Sequence, residues 1–146
     1  SIPHDDALLA SACGILGELS LFGTNNAEII SQAGAVDLIT KAMTDHPDSE
    51  LLQEVACSTF RHIPAGKGIK ASETARHIVL AMERHPHSAY IQFEASHALL
   101  KLAKRPKVTN VLREANTQRV LNAAKKEYKE HVAPLINEID QIISRS

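Results

Sequence analysis

The chain matches itself when it is shifted by 39 residues, and few folds tolerate such a shift. "KAMTDHPDSELLQEVACSTFRHI", residues 41–63, lies on "LAMERHPHSAYIQFEASHALLKL", residues 80–102. Ala42 falls on Ala81, Met43 on Met82, His46 on His85, Pro47 on Pro86 and Ser49 on Ser88. Gln53 then meets Gln92 and Ala56 meets Ala95, while Phe60 and Ile63 fall on Leu99 and Leu102. Between them the match lapses, with Glu54 on Phe93 and Val55 on Glu94. A period near 40 marks an array of stacked supersecondary units and outweighs any short motif inside it. A weaker copy follows, with Leu112 on Ile30, Ala115 on Ala33 and Leu121 on Ile39. A partial copy precedes, in which Ala12, Cys13, Leu16 and Leu19 reproduce Ala56, Cys57, Phe60 and Ile63.

Each unit resolves into helices. Asn25 or Asn26 caps a short helix that Gly34 stops. Val36, Ile39 and Met43 mark one face of a second helix, ended by Pro47. Asp48 or Ser49 caps a third, whose buried stripe is Leu52, Ala56, Phe60 and Ile63. The next unit repeats this with Ile78, Ala81 and Met82, then Ser88 as cap and Ile91, Ala95, Leu99 and Leu102 as stripe. There "PAGKGIKASE", residues 64–73, replaces the short first helix with a loop. The last unit predicts helices near 107–115, 117–131 and 134–144, with Pro134 at a helix start. The small Ala at 12, 56 and 95 lets helices of neighbouring units approach closely. The expected division is 5–22, 25–63, 71–104 and 107–146 within one domain. The abundance of Ala and Leu, with six glycines and six prolines in 146 residues, agrees with an all-helical class.

The stretch from Asn25 to Ile63, a short helix followed by Gly-Ala-hydrophobic and two longer helices, resembles an armadillo repeat. HEAT repeats are the near neighbour, and the unit without a first helix leans that way. The resemblance spans the whole chain. It implies an all-α, right-handed α-solenoid of about three armadillo-type repeats plus a leading helix. It also implies a non-catalytic scaffold whose third helices line a concave groove for a protein or an extended peptide. In the nuclear-import and catenin members the groove carries an Asn ladder with a Trp four positions earlier. The Asn position falls here at Glu18, His62 and Lys101, and the Trp position at Gly14, Ser58 and His97. No Trp occurs in the chain, so it departs from the nuclear-import pattern. The groove residues implied are Glu18, Ser58, His62, His97 and Lys101, a set suited to a mixed polar partner.

Other chemistry finds little footing. Glu94 and His97 have the spacing used by di-iron bundles, but no second copy of the motif exists. The bland reading leaves Glu94 solvated. His46 and His85 are equivalent residues at a turn, which points to bonding a terminal helix carbonyl or covering a helix end rather than to zinc. Cys57 and His62 differ by roughly 140° around a helix axis, so they form no nucleophile pair. Cys13 and Cys57 read as buried thiols of a reducing compartment, with a disulfide as the alternative. "AGKGIK" lacks the spacing of a phosphate loop, and no cofactor motif appears. The basic segments 101–107 and 123–131 lack interleaved aromatics, which argues against nucleic acid. No apolar run approaches the roughly 18 residues of a membrane span. The start, "SIPHDDALLAS", is acidic where a secretory leader would be basic, and the expected compartment is the cytoplasm or nucleus. It opens on Ser1, as an excised or processed piece would, and its apolar first helix reads as though it expects a neighbour.

Charge divides the chain. Residues 1–64 carry nine acids against two bases, and the rest eight acids against fourteen bases. An elongated molecule would then have an acidic and a basic end. The alternative function is therefore a structural module assembling head to tail through them.

Overall fold

The computed structural model describes the backbone of residues 3–20, 25, 28–29 and 34–146, and their side chains other than those of 3–6, 16 and 18–20. Among these residues the fold is all-helical, with eight helices and no strand. They are α1 (Pro3–Ser20), α2 (Val36–Asp45), α3 (Glu50–His62), α4 (Ile69–Arg84), α5 (Ala89–Leu102), α6 (Pro106–Arg113), α7 (Ala115–Glu127) and α8 (Ala133–Arg145). The short helix expected after Asn25 or Asn26 lies largely outside the described residues. None of the eight is long and apolar enough to cross a membrane.

Two rows result. α1, α3, α5 and α8 pack side by side in chain order, here called the stacked row. α2, α4 and the pair α6–α7 form a flanking row against it. The expected stripes supply the core between them. Leu52, Phe60, Ile63, Ile78, Met82, Ile91, Leu99, Leu102, Leu112, Leu121 and Ile136 are all fully buried. Each excludes water over an area that stabilises the fold by roughly 1.5–3 kcal/mol.

The repeated polar residues hold the repeated turns. The Ser49 hydroxyl accepts from Leu52 N at 3.3 Å, and Ser88 accepts from Ile91 N at 3.2 Å. Ser49, not Asp48, is thus the cap of α3. Gln53 is buried, and its Nε2 donates to Met43 O at 3.0 Å and His46 O at 2.9 Å. Gln92 makes the same pair of bonds to Met82 O and His85 O, both at 3.0 Å. Each Gln therefore satisfies the last carbonyls of the helix before it, which a buried helix end cannot leave bare.

One sequence expectation is corrected. The loop expected over residues 64–73 is shorter, because α4 begins at Ile69. Gly66 and Gly68 take φ of 88° and 56°, a region that favours glycine, so the turn is finished within the glycines. Ala71 and Ala75 are then buried in helix, and Thr74 Oγ1 donates to Ala65 O at 3.2 Å. His85 caps the end of α4, its backbone N–H donating to Ala81 O at 3.1 Å, while its Nε2 donates to Pro47 O at 2.8 Å, one unit back. Tyr128 repeats the rung, its hydroxyl donating to Pro86 O at 2.9 Å.

The charge division works inside the molecule. Lys70 and Arg84 pair with Asp37 and Asp48, at 2.9 and 2.5 Å. Arg76 and Arg119 pair with Glu114 and Glu83, both at 2.6 Å. Bases of one unit thus meet acids of a neighbouring unit, three of the four reaching back and Arg76 reaching forward. Exposed pairs of this kind contribute only about 0–1 kcal/mol each, but they favour one register of stacking.

Candidate binding face

On one face of the stacked row, residues four apart line up along each helix. α3 offers Glu54, Ser58 and His62, and α5 offers Phe93, His97 and Lys101 in the equivalent places. Glu54, Ser58, Phe93 and His97 are half-buried, as is His62. Glu18 belongs to α1, and its side chain lies outside the described residues.

Ser58 and His62 are brought together. With Glu54, Glu94, Gly14 and Gly17 they line a hollow of about 230 Å³ where α1, α3 and α5 meet. Two carboxylates stand in it under different conditions. Glu94 is held by Arg61, whose Nη1 donates to its two oxygens at 3.0 and 3.2 Å. This corrects the expectation of a solvated Glu94. Glu54 makes no hydrogen bond or ion pair among the described residues. Burial raises its pKa, and the neighbouring charges of Glu50 and Glu94 raise it further.

His97 and Lys101 are placed elsewhere. The His97 ring stands edge-on to Phe93, with centroids 4.7 Å apart. Burial lowers its pKa, Arg61 lowers it further, and Glu94 and Glu138 oppose both. The Lys101 ammonium turns into the C-terminal end of α3. It donates to Ile63 O at 2.8 Å, Arg61 O at 3.2 Å and Phe60 O at 3.4 Å, which are carbonyls a helix end leaves open. The residue keeps an exposed stem, yet burial of the ammonium, helped by Arg105, pushes its pKa down to about 8. That stem lines a second hollow of about 510 Å³ with Lys104, Glu138, Gln141, Ile142 and Arg145.

Three residues outside the expected groove set, Arg61, Phe93 and Glu94, join the two parts. Arg61 lies with its guanidinium 5.5 Å from the centre of the Phe93 ring, a distance suited to cation–π attraction. Phe93 and Glu94 sit where the repeat lapses, and that lapse is the signal that could have found them. Phe93 also lines a larger hollow of about 520 Å³ with Tyr90, Tyr128 and Val132. Phe93 and Glu94 are consecutive on α5, one lining the aromatic hollow and the other the acidic one.

The remaining chemistry is quiet. Both cysteines are free and buried, and burial drives the Cys57 thiol up to about 12, with Glu94 and Glu54 adding to it. Such a thiol is no nucleophile at neutral pH. Glu94 is engaged with Arg61 and His97 with Phe93, so their sequence spacing does not make a metal site. Among the described residues no group of three or more His, Cys, Asp or Glu could hold a metal ion.

Comparison with protein-family models, with curated proteins and with solved structures found no match.

Proposed function

We propose that the chain is a non-catalytic binding module, an armadillo-type right-handed α-solenoid of about three repeats with a leading helix. In this reading the stacked row is its concave face and holds an extended segment of another protein. The observation that carries it is Glu54, a half-buried carboxylate without a cation partner among the described residues, set in a hollow beside Glu94. Taking a charge out of water is costly unless a partner compensates it. A Lys or Arg side chain of a bound segment would supply that partner. The hollow of Tyr90, Phe93 and Tyr128 on the other side of α5 would take an apolar side chain of the same segment. The two-fold support is chemical: opposite preferences in the two hollows suit a segment carrying both a basic and an apolar residue.

Selection of displayed random decapeptides against the purified chain tests this. The expected outcome is enrichment of Lys or Arg together with an apolar residue, with binding that weakens as salt rises. Glu54→Gln, with unchanged circular dichroism, should abolish that enrichment. Peptides that bind equally well to Glu54→Gln would place the binding face elsewhere.

A further inference from the structure

Each helix of the stacked row uses one side toward its successor and another toward its predecessor. Toward α1, helix α3 turns Val55 and Thr59. A methyl group added at Gly14 would lie 3.7 Å from Val55 Cγ1, and one at Gly17 would lie 3.3 Å from Thr59 Oγ1. The Thr59 hydroxyl also donates to Cys13 O at 2.9 Å. The seam is close because α1 presents small residues to it: Ala10, Cys13, Gly14 and Gly17.

Set Ala12 on Ala56, as the repeat dictates, and the α3 side of that seam maps onto α1. Leu52, Val55, Ala56 and Thr59 fall on Leu8, Ser11, Ala12 and Ile15. Leu52, Ala56 and Thr59 are 0%, 0% and 2% exposed, whereas Leu8 and Ile15 are 70% and 60% exposed. Ser11 and Ala12 are exposed as well. One apolar stripe at helical spacing, the image of an interface already built between α1 and α3, therefore stands open on α1.

We propose that this stripe docks a helix of a partner protein whose contact seam carries small residues at the spacing of Ala10, Cys13, Gly14 and Gly17. The reason for small residues is volume. Ile15 stands where Thr59 stands in the built seam and is larger, so the incoming helix must yield space at least as well as α1 does. A second copy of the chain does not offer that seam, because its own lies beneath α3. The exposed positions of α8 are Pro134, Asn137, Glu138, Gln141, Ser144 and Arg145, which supply neither a small-residue seam nor an apolar stripe.

The probe is a synthetic, fluorescein-labelled peptide of residues 3–20, which carries the seam itself, titrated under reducing conditions against the full chain and followed by anisotropy. Saturable binding is expected. Leu8→Glu and Ile15→Glu in the full chain, at exposed positions that leave the helical fold intact by circular dichroism, should each weaken it by more than about tenfold. A peptide with Gly14→Leu and Gly17→Leu should not bind. Absence of binding to the wild-type chain overturns the proposal. So does binding indifferent to Ile15→Glu, since the peptide would then have taken the place of α1 on α3. A concentration-dependent dimer abolished by Ile15→Glu would give the stripe to a second copy and overturn it equally.

Discussion

Between α1 and α3 the helices meet closely, Gly14 and Gly17 of α1 lying against the side chains of Val55 and Thr59. One unit on, between α3 and α5, the same register places Arg61 against Glu94 and Lys101 against the α3 carbonyls. The backbone plan is the same; the filling is opposite. The first seam is a close apolar contact. The second is a half-buried polar network whose charged groups also edge the proposed binding face. The repeat therefore sets where helices lie, and the seam is free to hold either packing or chemistry. The polar seam is the weaker source of stability, since desolvation offsets much of an ion pair's attraction. It is also where Glu54 is left in the field of a second carboxylate.

The largest expected effect removes what both seams lean on. Phe60→Ala should destabilise the fold by about 3–5 kcal/mol. Denaturant unfolding monitored by probes on α1 and on α5 should lose both together; loss of one alone would separate the seams. Next, Gly17→Leu forces side-chain volume into the close seam and should cost about 1–3 kcal/mol. Hydrogen exchange should rise in α1 while α5 stays protected. Glu94→Gln attacks the polar seam, leaves Arg61 without its ionic partner and should cost about 1–2 kcal/mol. The same variant should lower the Glu54 pKa, because Glu94 is one of the charges that raise it; carboxyl titration by NMR reads this.

A further effect is a pH slope. The folded-state pKa of Lys101 is depressed to about 8, against about 10.4 for an unfolded lysine. Between these values the unfolded chain binds more protons than the folded one, so this group makes stability rise with pH. Below about pH 8 the burden of the buried ammonium is complete. The difference in unfolding midpoint between wild type and Lys101→Met from pH 7 to 11 should carry this slope, because the raised Cys57 thiol contributes equally to both.

How much of this was written in the sequence differs by residue. Where a side chain does the same job twice, repetition exposes it. Gln53 and Gln92, Ser49 and Ser88, and the stripes ending in Ile63 and Leu102 are readable because a shared geometric need preserved a shared residue. Lys101 shows the opposite. Its position along α5 puts its stem on the proposed binding face, but a long flexible side chain goes to the nearest bare carbonyls, and those belong to another helix. Position alone does not carry that information. The start of α4 was hidden by glycine density, since Gly66 and Gly68 look like a long loop and make a short one. The roles of Arg61, Phe93 and Glu94 were hidden because these residues do not repeat. In a repetitive chain, the residues that break the pattern are the ones to inspect for chemistry.

The bonds that tie one unit to the next have a consequence for how the chain comes into being. Among the described residues, the farthest-reaching side-chain hydrogen bond, from Thr59 to Cys13, spans 46 residues, and the rung from Tyr128 to Pro86 spans 42. No partner must wait for the distant end of the polypeptide to be made. On a ribosome, α3 can settle on α1 while α5 is still being synthesised, and the rung to Pro47 closes as soon as His85 has cleared the exit tunnel. Assembly of this kind proceeds as a zipper in the direction of translation, with short loops to close and little time for an unfinished unit to be exposed.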